Sequence, residues 1–84
     1  MDGEHYMSPT EALAWIAEVF EEDLDCLNPE TERKDIIGWD SMGVLALMAG
    51  LDNDFDILVS ADDMQAMTKI QDILNVLEKN GKLD

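Results

Sequence analysis

Read for its apolar spacing, the chain divides into four helical stretches and one long connection. Leu13, Ile16, Ala17 and Phe20 recur at i, i+3, i+4 and i+7, and Trp15 and Val19 widen that stripe. Glu18, Glu21 and Glu22 fall outside it. Ser8-Pro9-Thr10-Glu11 stands just ahead, with a capping serine, a proline suited to the first helical position and a glutamate that can close a capping box. These signals predict a first helix from Pro9 to about Glu22, preceded by a flexible tail over residues 1–7.

From Asp23 to Trp39 no helical period is sustained, and Asn28-Pro29 breaks any that starts. A connection this long is uncommon in a compact domain and tends to be functional. Its four aliphatic residues, Leu24, Leu27, Ile36 and Ile37, are expected to pin it across the core. Gly38-Trp39-Asp40-Ser41 then opens a second helix with Asp40 as its cap. The body from Met42 to Leu51 is apolar almost all round, so this helix is either central or presents spare apolar surface. Asp52, Asp54 and Asp56 follow, with Phe55 expected to turn inward.

Ile57-Leu58-Val59 reads as a short extended link, and Ser60-Ala61-Asp62-Asp63 as the capped start of a brief helix to about Met67. Thr68-Lys69-Ile70-Gln71 has the form of another capping box. Behind it Ile70, Ile73, Leu74 and Leu77 share one face, and Asn80-Gly81 closes the helix with Lys79 and Lys82 near its negative end. There is no internal repeat and no credible strand pair. The expected fold is all-α, a small bundle of three longer helices and one short one in a single domain over residues 1–84.

Composition narrows the functional classes. The lone Cys26 cannot form an internal disulfide, which fits a reducing compartment. The start of the chain lacks the basic and apolar regions of a signal peptide, and no apolar run reaches membrane-span length. A cytoplasmic protein without membrane insertion is expected. Twenty acidic residues against five basic ones give a net charge of −15. That field repels nucleic acid and steers the molecule toward basic patches on other proteins. It also predicts a thermal stability that rises with added magnesium.

The residues bear on three further chemistries. Asp52, Asp54 and Asp56 have the alternating spacing that opens an EF-hand loop, with Ser60 at the ninth position. Ile57 stands where that loop needs glycine, and Asp63 where a bidentate glutamate is usual. The three aspartates are therefore expected to form at most a weak divalent site, not a calcium sensor. An enzyme is disfavoured. Ser41 lacks the G-x-S-x-G context, His5 is the only histidine, and no His or Cys pair has metal-ligand spacing. An acidic protein-interaction module, with Ser41 only a helix cap, is the remaining alternative.

At Trp39-Asp40-Ser41-Met42 the chain resembles the acyl carrier proteins, and the likeness runs from Pro9 to Gly81. In that family an Asp-Ser-Leu signature begins the second helix. Here it stands as Asp40-Ser41-Met42, a change of little volume. The long first loop, an aromatic closing the second helix (Phe55) and the short third helix also match. The resemblance implies a carrier, not a catalyst. Ser41 would bear a 4′-phosphopantetheine arm from coenzyme A, and Asp40 would belong to the motif as well as capping the helix. Acyl or aminoacyl groups would ride on the arm as thioesters, in fatty acid, polyketide or related biosynthesis.

The implied partners are a phosphopantetheinyl transferase, a loading ligase, and transferases or synthases with basic patches, served by a discrete bacterial monomer. Many carriers have acidic residues early in the second helix, where this chain has Gly43 and Ala46. Docking is therefore expected to be more apolar, along Met42, Leu45, Met48 and Ala49, with charge supplied from the periphery. Cys26 is not expected to hold cargo, since no cationic neighbour in sequence would activate it.

Overall fold

The computed structural model describes residues 7–83. Their architecture is the all-α bundle expected: α1 (Pro9–Phe20), α2 (Ser41–Phe55), a short α3 (Ala61–Ala66) and α4 (Ile70–Lys79). Two 3-10 turns, Leu24–Cys26 and Arg33–Asp35, lie in the long connection. The core takes Ala12, Ile16, Ala17 and Phe20 from α1 and Val44, Leu47 and Leu51 from α2. Met64 joins from α3, and Ile70, Ile73, Leu74 and Leu77 from α4. Each fully buried aliphatic side chain contributes about 1.5–3 kcal/mol of transfer free energy.

α1 begins at the expected capping box: Ser8 Oγ accepts from the Glu11 N–H (3.1 Å) and Glu11 Oε1 from the Ser8 N–H (3.0 Å). It ends two residues earlier than the sequence predicts. Glu21 turns left-handed (φ 57°), and the Glu22 N–H bonds back to the Ala17 carbonyl (2.8 Å). α2 runs on past Leu51 to Phe55 and closes in the same way at Asp56 (φ 58°). α1 and α2 run antiparallel. Phe20 at the end of α1 stacks on Trp39 just before α2, while Trp15 meets Phe55 at the far end.

The long connection is pinned, but by a different set of residues from the one expected. Leu27 and Ile36 are buried; Leu24 is exposed and Ile37 is 90% exposed. Trp39 takes the place expected of Ile37. The rest of the anchoring is main-chain. The Arg33 N–H bonds to the Thr68 carbonyl (2.8 Å), Ile70 N–H to Thr31 (2.9 Å) and Gln71 N–H to Pro29 (2.9 Å). The loop thus supplies acceptors for the first amides of α4, which no turn of helix could satisfy. A second correction concerns the start of α4, where Asp72 rather than Gln71 closes the turn. Its Oδ2 accepts from the N–H groups of Thr68 (2.8 Å) and Lys69 (3.2 Å). Gln71 instead donates to Asn75 Oδ1 (2.9 Å).

The expected tail over residues 1–7 lies outside the described residues except at Met7. That residue pairs with Leu83 through an isolated bridge, its N–H donating to the Lys82 carbonyl (3.0 Å). The only other bridge among the described residues joins Glu32 and Lys69. No helix is long and apolar enough to cross a membrane among the described residues.

Candidate functional site

Ser41 is the first residue of α2 and is exposed. Asp40 before it is extended (φ −107°, ψ −164°), and its Oδ1 accepts from the Gly43 N–H at 2.9 Å. Its carbonyl accepts from the Val44 N–H at 2.8 Å. The Ser41 hydroxyl enters no hydrogen bond among the described residues. Capping is therefore done by Asp40, and the serine side chain is left over from it.

The turn that carries this serine is held from beneath. Trp39 is 3% exposed, stacked on Phe20 with ring centroids 5.1 Å apart, and its N–H bonds to the Ile36 carbonyl (3.1 Å). Two glycines bring backbone against backbone there. A Cβ on Gly38 would run into the Phe20 carbonyl oxygen, and one on Gly43 into the Gly38 carbonyl oxygen. Only residues without a side chain let the end of α1, the loop and the start of α2 approach so closely.

Two clefts flank the serine. One, of about 290 Å³, is lined by Arg33, Ser41, Val44, Leu45, Met48, Ala61 and Gln65. The other, of about 460 Å³, lies between the end of α1 and the start of α2 and includes Glu22, Ile37, Asp40, Met42 and Ala46. Of the docking residues expected from sequence, Met42 is 74% and Leu45 62% exposed. Ala49 is exposed and Met48 half-buried against the core. Ile37 joins this exposed apolar surface although the sequence reading had placed it inside.

Several curated proteins similar to this chain are acyl carrier proteins. An acyl carrier protein of Bdellovibrio bacteriovorus is 30% identical over 60 residues, covering 71% of this chain and 77% of its relative. One of Syntrophobacter fumaroxidans is 31% identical over 58 residues, 69% of this chain and 72% of the relative. The chain belongs to the acyl carrier protein family. A further family member, from Campylobacter lari, is 29% identical over 67 residues, 80% of this chain and 87% of its own. No protein-family model matches the chain, and no solved structure matches it.

Acyl carrier proteins as a family work with a phosphopantetheine group, and the start of α2 can be tested for its fit. The Ser41 hydroxyl is exposed and unbonded, as an attachment point must be. Asp40 takes the Gly43 and Val44 amides, leaving those of Ser41 and Met42 in the first turn of a 15-residue helix. A phosphodiester on this residue would lie near the positive end of the helix dipole, worth roughly 0.3–1 kcal/mol at an exposed site. The residues fit the group.

The other candidates do not gather into sites. Asp52 and Asp54 lie on the last turns of α2, where residues two apart face different directions, and Asp56 is its left-handed cap. Asp54 Oδ2 is already taken by the Trp15 indole N–H at 2.8 Å. No EF-hand loop forms, and no cluster of three or more metal-ligating side chains occurs among the described residues. Cys26 is exposed in its 3-10 turn, and His5 lies outside the described residues. Sequence reasoning passed over Arg33, whose side chain reaches the serine's own cleft. One signal was available, since Arg33 is the only arginine in the chain.

Proposed function

We propose that the protein carries acyl or aminoacyl groups on a 4′-phosphopantetheine arm attached to Ser41 Oγ. The observation that supports this is the serine hydroxyl itself, exposed and unbonded on a turn that Asp40 caps and Trp39 anchors. In the transfer the Ser41 oxygen forms a new bond to phosphorus. The pyrophosphate link of coenzyme A breaks, its nucleotide half leaves, and the serine proton passes to a base of the transferase. The arm supplies a thiol that holds cargo as a thioester. This chain supplies the exposed oxygen, the preordered helix start that receives the phosphate, and the surface that partner enzymes meet. No catalytic acid, base or nucleophile of its own is assigned. We place the protein in the bacterial cytoplasm as a single-domain monomer in fatty acid, polyketide or related synthesis.

Partner enzymes meet the face carrying Met42, Leu45, Met48 and Ala49, with acidic side chains around its margin steering basic patches. The exposure of Met42 and Leu45 supports this reading. An acidic interaction module with Ser41 as mere cap fits less well, because Asp40 does the capping.

Intact-protein mass spectrometry after incubation with coenzyme A and a promiscuous phosphopantetheinyl transferase tests the proposal. One phosphopantetheine addition is expected in the wild type and none in Ser41→Ala. A folded wild-type protein that gains no mass would overturn the reading in favour of the interaction module. With attachment established, Met42→Ala and Met48→Ala are expected to slow both modification and loading, and unchanged rates would remove the docking assignment.

A further inference from the structure

The chain has a single arginine, and among the described residues it enters no ion pair. Among the described residues the salt bridges are Lys34–Glu32 and Lys69–Glu30, each 3.6 Å and between exposed side chains. Arg33 makes none among them, in a protein rich in carboxylate side chains. Its placement is nonetheless defined. The Arg33 N–H is bonded to the Thr68 carbonyl (2.8 Å), and its Nε donates to the Trp39 carbonyl (3.4 Å). The guanidinium carbon lies 5.8 Å from the centroid of the Trp39 ring, within cation–π range.

Arg33 is thus tied to the residue just before the Asp40-Ser41 turn. The bond from Nε leaves the two Nη groups, which carry four of the five guanidinium donors. The same side chain lines the cleft whose other walls are Ser41, Val44, Leu45, Met48, Ala61 and Gln65. Every one of those is uncharged. The cleft that Ser41 itself lines therefore has one charged side chain, and it is positive, in a chain whose net charge is −15.

We infer that Arg33 is a binding residue for the phosphate of the arm on Ser41, pairing its guanidinium with the phosphodiester oxygens and turning the arm along this cleft. The inference rests on the reading of Ser41 as the attachment point. A phosphodiester adds a further negative charge next to Asp40, and the planar guanidinium fork matches phosphate oxygens better than an ammonium does. Lys34 next in sequence is already paired with Glu32 and lies outside the serine's cleft. It serves as the control.

Because there is one arginine, its Nε–H resonance in a ¹⁵N-labelled sample is identified without any variant. Mass spectrometry first establishes that Ser41 of the wild type is modified; absence of the addition would overturn the attachment reading itself. With the modification present, the Arg33 Nε–H signal is expected to shift between apo and holo protein, and its Nη protons to exchange more slowly. The ³¹P resonance of the holo protein is expected to move in Arg33→Gln and to stay in place in Lys34→Gln. At low salt, conversion from apo to holo should lower Tm by roughly 2–4 °C more in Arg33→Gln than in wild type, a gap that closes at high salt. Arginine signals identical in apo and fully modified protein would overturn the inference, whether or not the variants fold.

Discussion

α1 packs against the two ends of α2 through two aromatic pairs, and the pairs are built differently. At the end remote from Ser41, Trp15 meets Phe55 edge to face at 4.9 Å, remains half-buried and donates its indole N–H to Asp54 at 2.8 Å. At the serine end, Trp39 stacks on Phe20, is almost wholly buried, and its Nε1 finds no acceptor among the described residues. An unpaired buried donor costs about 1–3 kcal/mol. The far end is satisfied in packing and in hydrogen bonding. The serine end is satisfied in packing alone, and Arg33 rather than a carboxylate lies over its ring. Polar imbalance thus collects where the molecule presents the exposed Ser41, a pattern expected of functional sites, where local rules give way to another demand.

The contrast is broken most sharply by removing the rings. Trp39→Ala is expected to cost about 3–5 kcal/mol, because the buried ring supports the loop, the end of α1 and the start of α2 together. Trp15→Ala should cost less than half of that, its ring being partly solvated. Denaturant titration of both variants decides the point, and equal losses would mean that the two ends carry equal weight.

Trp39→Phe sharpens the comparison, since it keeps a ring on Phe20 while deleting a donor that has no partner. It should cost under about 1.5 kcal/mol. At the other end, Asp54→Ala strips the Trp15 N–H of its acceptor without touching packing, for an expected loss of about 0.5–1.5 kcal/mol. Urea midpoints at constant m-value measure both. A neutral Asp54→Ala would show that water replaces the carboxylate there.

The smallest expected effect is a gain. Glu21 and Asp56 close α1 and α2 in the left-handed region without being glycine. Glu21→Gly relieves that strain and should raise stability by about 0.5–1 kcal/mol. A lower Tm in the variant would count against it.

Much of the helical framework was legible because its signals are local. The Ser8–Glu11 box, the Asp40 cap, the Ser60 cap and the α4 stripe each depend on residues within one or two turns. What the sequence misplaced depends on partners distant in the chain. Ile37 and Trp39 are both large and apolar, and nothing nearby says which turns inward; Phe20 decides it. Gln71 and Asp72 are both able to cap α4, and the shorter Asp72 side chain reaches the Thr68 and Lys69 amides. The stop of α1 at Phe20 has no glycine to announce it. Arg33 shows no local reason to share a cleft with Ser41, eight residues on.

By itself, then, the sequence determined where helices start, which stripes they bury, and that a serine stands immediately after a helix cap. Those are consequences of spacing and of hydrogen bonds between near neighbours. Tertiary structure alone decided that Gly38 and Gly43 let three backbone segments meet under the serine, and that the one arginine lies in its cleft. Each of those needs two distant segments to share the same few ångströms, and sterics at that range is settled only when the chain has packed.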